Sequence, residues 1–397
     1  MFKNKALIPI FIVVLVDLLG FSIILPLLPF YALQFHVSSE AIGMIAAVYS
    51  ICQFVASPIL GSMSDRFGRR PVLIYSQLGS FIGFILLALA GNVWVIVLSR
   101  IIDGLSGGNI TIASAYVADV TDPKDRAHSM ALIGIAFGMG FLFGPLLGGE
   151  LAHAYGTAAP AYAAAAMALT STLLSIFYLK EPAVHRSGDH KKGFAQYTQA
   201  ISYFKIKNLR TMLLIFFFFA LPFSIYVSMF SLYAHIELNF TEREVGRFLA
   251  YVGFLGIIYQ GGVIRPLVKK IGELSLLRWG LLAMAVGLLG IVLAETWQQL
   301  ALVALVFSFG TGVTRVVLSS LVSQLAPPDK KGGVIGVSAS IESFTRILGP
   351  LVGGWILGTM HPNYIGYIGG AMALVGFYLA FTVHRDSKKL EAEMIVD

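Results

Sequence analysis

A carboxylate, Asp17, stands near the middle of the first long apolar run of the chain, with Gly20, Pro26 and Pro29 following it. Ionisable side chains inside such runs are costly unless they find a partner or a polar cavity, so each is a functional candidate. Removed from water, a carboxylate can exchange a proton or engage a substrate; a bond to neighbouring backbone or to an arginine would leave it structural. The fourth run carries Arg100 and, three residues on, Asp103, which share a helix face. They form either a permanent ion pair or one that changes state. Glu342 and Arg346 lie one helical turn apart in the eleventh run, and Arg315 lies in the tenth. Acid before base is the favourable order at this spacing, and the group serves either as a structural ion pair or in coupling and substrate contact.

Other chemistry is thin. The eight histidines are scattered, mostly at the ends of apolar runs and without metal-ligand spacing, so no metal is expected. The glycines from Gly104 to Gly108 lack the Lys-Ser/Thr that a phosphate loop needs. With no ATP-binding module, cofactor or catalytic constellation in view, the reading is of a non-enzyme driven by an ion gradient or by a solute's own gradient.

The elements that must hold these charges follow from composition. The 397 residues are 57% hydrophobic and only 12% charged, about half the charge of an ordinary soluble domain, which points to an all-α polytopic membrane protein. A span needs about 20 apolar residues. About twelve candidates fall near 7–33, 41–61, 71–90, 93–117, 128–152, 159–179, 211–234, 244–264, 274–293, 298–321, 333–357 and 363–384. With the N-terminus inside, only Arg243 and Arg247 fall in outside loops and only Arg100, Arg315 and Arg346 within spans; the rest of the 28 lysines and arginines fall inside. That asymmetry places both termini in the cytoplasm of a cell with the protein in its inner membrane. It also accounts for the net charge of +7 without nucleic acid. The single cysteine, Cys52, excludes an internal disulfide.

The chain repeats itself. A shift of 205 residues carries Pro123-Lys-Asp-Arg126 onto Pro328-Asp-Lys-Lys331 and Gly144-Pro-Leu-Leu-Gly-Gly149 onto Gly349-Pro-Leu-Val-Gly-Gly354. Two blocks at one offset predict duplicated six-helix bundles, residues 1–180 and 210–397, joined by a cytoplasmic linker over 181–209. Within the linker Phe194, Tyr197, Ile201 and Phe204 recur at helical spacing, as in a helix lying on the bilayer or in an ordinary solvated connection.

Between the second and third runs lies Gly61-Ser-Met-Ser-Asp-Arg-Phe-Gly-Arg-Arg70. Its arginines, Arg66, Arg69 and Arg70, keep to water; Gly61 and Gly68 allow close approach and a sharp turn; Asp65 offers a partner to an arginine or a helix N-terminus. This G-x-x-x-D-R-x-G-R-R pattern resembles the helix 2 to helix 3 loop of the major facilitator superfamily. In the fifth run Gly140, Gly144, Pro145, Gly148 and Gly149 clear one face for close packing. Their G-x-x-x-G-P-x-x-G-G order also resembles the motif of that superfamily's drug/proton antiporters, although an upstream glycine of the extended motif is replaced by Ala131. The Asp17–Pro29 pattern is similar to helix 1 of tetracycline/proton antiporters and their multidrug relatives.

The resemblance implies a twelve-helix major facilitator fold, a central site and a monomer exchanging protons for a small-molecule substrate within the lipid bilayer. It implies that Arg100 controls protonation of a nearby acid and that Asp119 pairs with the loop, at Arg69, as a cytoplasmic lock. A central cavity would present Tyr49, Gln53, Asn109, Met139, Tyr226, Tyr251, Gln260, Phe307 and Arg315, residues that helix packing can equally claim. Aromatics and methionine suit bulky apolar molecules. Tetracycline exporters also carry acids in helices 3 and 9, where this chain has none. The alternative is a proton symporter or facilitator for sugars, organic anions or other solutes.

Overall fold

Apolar runs bounded by prolines, glycines and cap residues fold into fifteen α-helices among the residues that the computed structural model describes, 7–122, 124–182, 206–327 and 331–383. The first expected span is interrupted: α1 (Leu7–Ile24) gives way to a turn and a short α2 (Leu28–Leu33), with Pro29 in the first turn of α2, where a missing N–H costs nothing. Ser38 caps α3 (Ser39–Phe67), accepting from the Ala41 N–H at 3.3 Å. One residue, Gly68, separates α3 from α4 (Arg69–Ala88), and its φ of 110° suits glycine.

The fourth run is also broken. After α5 (Val93–Leu105), a Ser106–Gly108 turn precedes α6 (Asn109–Asp119). Side chains from neighbouring helices satisfy the turn's carbonyls. Gln53 Nε2 donates to the Gly107 oxygen at 3.1 Å, and Ser76 Oγ donates to the Ser106 oxygen. Hydropathy gives no sign of this break because the freed backbone groups are re-paired inside protein. There follow α7 (Arg126–Tyr155), α8 (Ala159–Tyr178), α9 (Lys207–Leu238) and α10 (Glu242–Ile258). A π turn over Tyr259–Val263 leads into α11 (Ile264–Ile271), and then come α12 (Glu273–Ile291), α13 (Trp297–Leu325), α14 (Lys331–Thr359) and α15 (Tyr364–Thr382). At the start of α13, Thr296 and Gln299 form a reciprocal capping box.

Eleven helices or helix pairs among the described residues are long and apolar enough to cross a membrane. The 29-residue α14 is long enough as well, but Glu342, Arg346 and its glycines make it more polar. The surface helix expected over 194–204 lies outside the described residues.

The packing groups residues into two units. One comprises 1–188, 227–254 and 350–362; the other comprises 189–226, 255–349 and 363–397. In the first, the clear face of α7 lies on α1: a Cβ at Gly140 would meet Leu18 Cβ at 3.2 Å, one at Gly148 would meet the Ile23 oxygen at 2.8 Å, and one at Gly144 would overlap Ser22. Ser22 Oγ donates to the Gly140 oxygen at 2.7 Å. Gly149 turns instead to α10, where a Cβ would meet Gly246 Cα at 3.2 Å. Within the second unit, Gly349 of α14 lies against Ser224 of α9 in the same way that Gly144 lies against Ser22.

Candidate functional site

Asp17 faces α6, where Asn109 Nδ2 donates to both carboxylate oxygens at 3.0 Å. Asn109 is the first residue after the Ser106–Gly108 turn, so the break in the fourth run is what aims its amide at α1. Among the described residues no lysine or arginine pairs with Asp17. A narrow pocket beside it is lined by Val13, Val14, Leu73, Gln77, Asn109 and Ile110. Gln77 is fully buried, and its Nε2 donates to Ser171 Oγ at 2.6 Å.

Arg100 and Asp103 are each 3% exposed on α5 and pair at 3.3 Å. Arg100 lies over the Phe84 ring, 5.8 Å from its centroid, and Gly83 gives Asp103 room, since a Cβ there would lie 2.9 Å from Asp103 Cβ. Two buried charges are tolerable only when paired, and each here has the other.

At the end of the first unit where α3 meets α4, the loop motif closes on itself. Arg69 Nε donates to Asp119 Oδ2 at 2.8 Å, its Nη1 donates to Ser64 Oγ at 2.7 Å, and Asp65 forms a second ion pair with it. Gly61 lies over α6, 3.8 Å from Thr111 in Cβ terms, and Arg66 is exposed beside the Phe67 ring. Arg70 reaches the last carbonyls of α8, those of Ser175 and Ile176, a favourable place for a cation. Glu181, just past α8, returns the favour: its two oxygens accept from the Arg69 and Arg70 N–H groups at 2.7 and 2.9 Å. The Glu181 carboxylate also fills the space where a side chain at Gly68 would go.

At the opposite end of that unit, Glu150 on α7 accepts from Arg243 Nε at 3.0 Å and from Arg247 Nε at 2.8 Å, both on α10. The sequence reading counted these arginines as outside charges and missed their partner. Glu181 and Gln77 were missed too. The signals available were the acid directly after Gly149, the Arg243–Arg247 spacing of four, and an amide in the middle of an apolar run.

The remaining candidates divide between the units. In the first, Gln53 Nε2 lies 3.0 Å from Tyr49 Oη, and Tyr49 packs on Phe21; Met139 and Tyr251 are half-buried on α7 and α10. In the second, Tyr226 and Phe307 pack tilted with ring centroids 4.3 Å apart and are both buried, Phe307 against Gly287, while Gln260 is exposed on the π turn. Glu342 Oε1 accepts from Arg315 Nη2 at 2.8 Å and from Arg346 Nη2 at 2.9 Å. Among the described residues no group of His, Cys, Asp and Glu is placed to hold a metal.

Comparisons place this geometry among known proteins. The chain is 31% identical over 359 residues to the class C tetracycline resistance protein of Escherichia coli, covering 88% of this chain and 89% of that one. It is 28% identical over 396 residues to multidrug resistance protein 2 of Bacillus subtilis (strain 168), covering 96% of each. The crystal structure of the human organic anion transporter MFSD10 (TETRAN) superposes with a TM-score of 0.70 at 25% identity, covering 95% of this chain and all of that one. The nucleoside transporter NupG, at 14% identity, shares the fold with a TM-score of 0.82. The family model described as Major Facilitator Superfamily matches residues 10–294 and 261–394. The chain is therefore an integral membrane transporter of small molecules, not an enzyme, and it belongs to the Major Facilitator Superfamily.

Proposed function

We propose that this transporter is a proton-coupled antiporter of the inner membrane, monomeric and with both termini cytoplasmic, exporting amphipathic drug-like molecules by alternating access. The observation that carries the reading is Asp17. A carboxylate in the middle of a span, bonded to a neutral amide and with no basic partner among the described residues, keeps a lone pair for a proton. The relatives named for tetracycline and multidrug resistance support the direction of transport.

In this reading the halves 1–180 and 210–397 rock about a central site. The Arg69–Asp119–Asp65 cluster, with Glu181 and Arg70 behind it, acts as the cytoplasmic lock. Gly140, Gly144, Pro145, Gly148 and Gly149 give α7 a smooth face against α1 and α10. Arg100 and Asp103 form a buried charge pair on α5, the helix segment before the one that holds Asn109, and serve with Asp17 in proton coupling. Tyr49, Gln53, Asn109, Met139, Tyr226, Tyr251, Gln260 and Phe307 remain the candidate substrate contacts, with Glu342, Arg315 and Arg346 as a second charged station.

The second reading is export or facilitation of organic anions. Two arginines share one acid in the Glu342 group, and one similar protein is an organic anion transporter.

Purified protein in liposomes, with an imposed pH gradient and an internal pH dye, tests both. Cationic dyes and tetracycline should drive protons opposite to the substrate, and Asp17→Asn should abolish this while leaving the protein in the membrane. Unchanged coupling in Asp17→Asn would remove Asp17 from the mechanism. Proton movement in the same direction as the substrate would make the protein a symporter.

A further inference from the structure

The pocket beside Asp17 holds two buried acceptors without a donor among the described residues. Gln77 is fully buried, and its amide is fixed by Nε2 donating to Ser171 Oγ, which in turn donates to the Val13 oxygen at 3.3 Å. Its Oε1 has no donor among the described residues. Asn109 is 9% exposed, and its Oδ1 has no donor either, because Nδ2 is turned to both oxygens of Asp17. Leaving such atoms unpaired is expensive enough that native proteins rarely do it. The pocket they line is narrow.

The two ends of an asparagine amide are nearly the same size but opposite in hydrogen-bonding sense. A half-turn about the last side-chain bond of Asn109 would present Oδ1 to Asp17 and release Nδ2 to the pocket. A carboxylate cannot use an acceptor, but a carboxylic acid can, through its O–H. In the same movement Nδ2 becomes available to Gln77 Oε1, the orphaned acceptor in the same pocket. Such an exchange would offer each of the two unpaired oxygens a donor.

Resting on Asp17 as the coupling acid, we infer that Asn109 is a two-position amide switch that reports the proton on Asp17. It donates to the carboxylate in one position; in the other it accepts from the acid and donates to Gln77. Asn109 and Gln77 are thus positioning residues for proton exchange.

The charged surroundings are sparse. Of the elements packed on α1, α6 brings Tyr116 and, at its far end, Asp119 paired with Arg69. Helix α7 carries Arg126, Glu150, His153 and Tyr155 near its ends, and α8 carries Tyr162 and Tyr178. From α4 the pocket receives only Leu73 and Gln77. Asp103 of α5 is itself paired with Arg100.

The test is an infrared titration of the full protein in liposomes, following the carboxyl band lost in Asp17→Asn, with the pH profile of transport beside it. Asn109→Leu removes the donors of the charged form and should shift the titration by about one pH unit. Gln77→Met removes the partner of the proton-bound form and should shift it the opposite way, by less. Because Gln77 acts only through Asn109, the double variant should match Asn109→Leu alone. Shifts of the same sign, an additive double variant or no shift would overturn the switch. An Asp17 band that does not titrate, with coupling intact in Asp17→Asn, would instead remove Asp17 from the mechanism, and with it the reading on which the switch rests.

Discussion

The two repeats keep the same packing devices and differ in their charges. Gly144 on Ser22 in the first repeat becomes Gly349 on Ser224 in the second, and the α3-to-α4 glycine, Gly68 with φ 110°, becomes Gly272 with φ 79° between α11 and α12. The chemistry is not copied. Arg69, which holds Asp119, is matched after Gly272 by Glu273, which accepts from Gln324 at 2.8 Å and from Ser320 at 2.9 Å. Asp17 on α1 corresponds to the aromatic stretch around Phe219 on α9, and a half-buried acid has become a buried ring. Duplication preserved the surfaces that let helices approach, while the mid-span acid Asp17 and the Arg69–Asp119 ion pair occur in one copy only.

The sharpest break in that comparison is charge reversal at the Arg69–Asp119 pair, the proposed lock. Arg69→Glu places three acids, with Asp65 and Asp119, in one cluster, and liposome transport should fall by about tenfold or more, since a lost charged hydrogen bond costs about 1.5–3 kcal/mol. Adding Asp119→Arg should restore much of it. The matching change in the second repeat, Glu273→Gln, keeps a neutral acceptor for Gln324 and should alter the rate by less than about twofold. Equal losses at the two sites would mean that the second loop is a lock as well.

The packing devices should behave alike where the locks do not. Gly144→Ala and Gly349→Ala each force a methyl group into a serine of the facing helix, and each should destabilise the protein by about 1–3 kcal/mol in thermal unfolding of the detergent-solubilised chain. A loss at only one of them would show that the repeats no longer share this contact.

Smallest is Glu150→Gln. Its two arginine partners are half-exposed, so the substitution should leave the unfolding midpoint almost unchanged in the same assay. A larger loss would make this far-end clamp a principal stabiliser of the first unit.

Much of the fold was legible because a bilayer leaves a chain few choices: apolar length, loop arginines and a repeated glycine-proline block each carry a physical constraint. The Arg69–Asp119 pairing was implied by the family resemblance of the loop, and the buried Arg100–Asp103 pair was readable as one alternative because a charge in an apolar run must find a partner. The break at Ser106–Gly108 was hidden, because Gln53 and Ser76 repair the turn from distant points in the sequence. The role of Gln77 was hidden for a similar reason. A single amide in a span shows its worth only when Ser171 and Asn109 are seen around it, and Glu181 lies more than a hundred residues from the backbone it caps.

The π turn at Tyr259–Val263 carries a consequence for how this half of the molecule can vary. Such a turn holds one residue more than a regular helix would, so α11 enters rotated by about 100° from the heading of α10. Deleting a single residue there would swing the exposed Lys269 and Lys270 to a different side of the helix without changing any side chain. At this point insertions and deletions, rather than substitutions, are the short route to a new charged face.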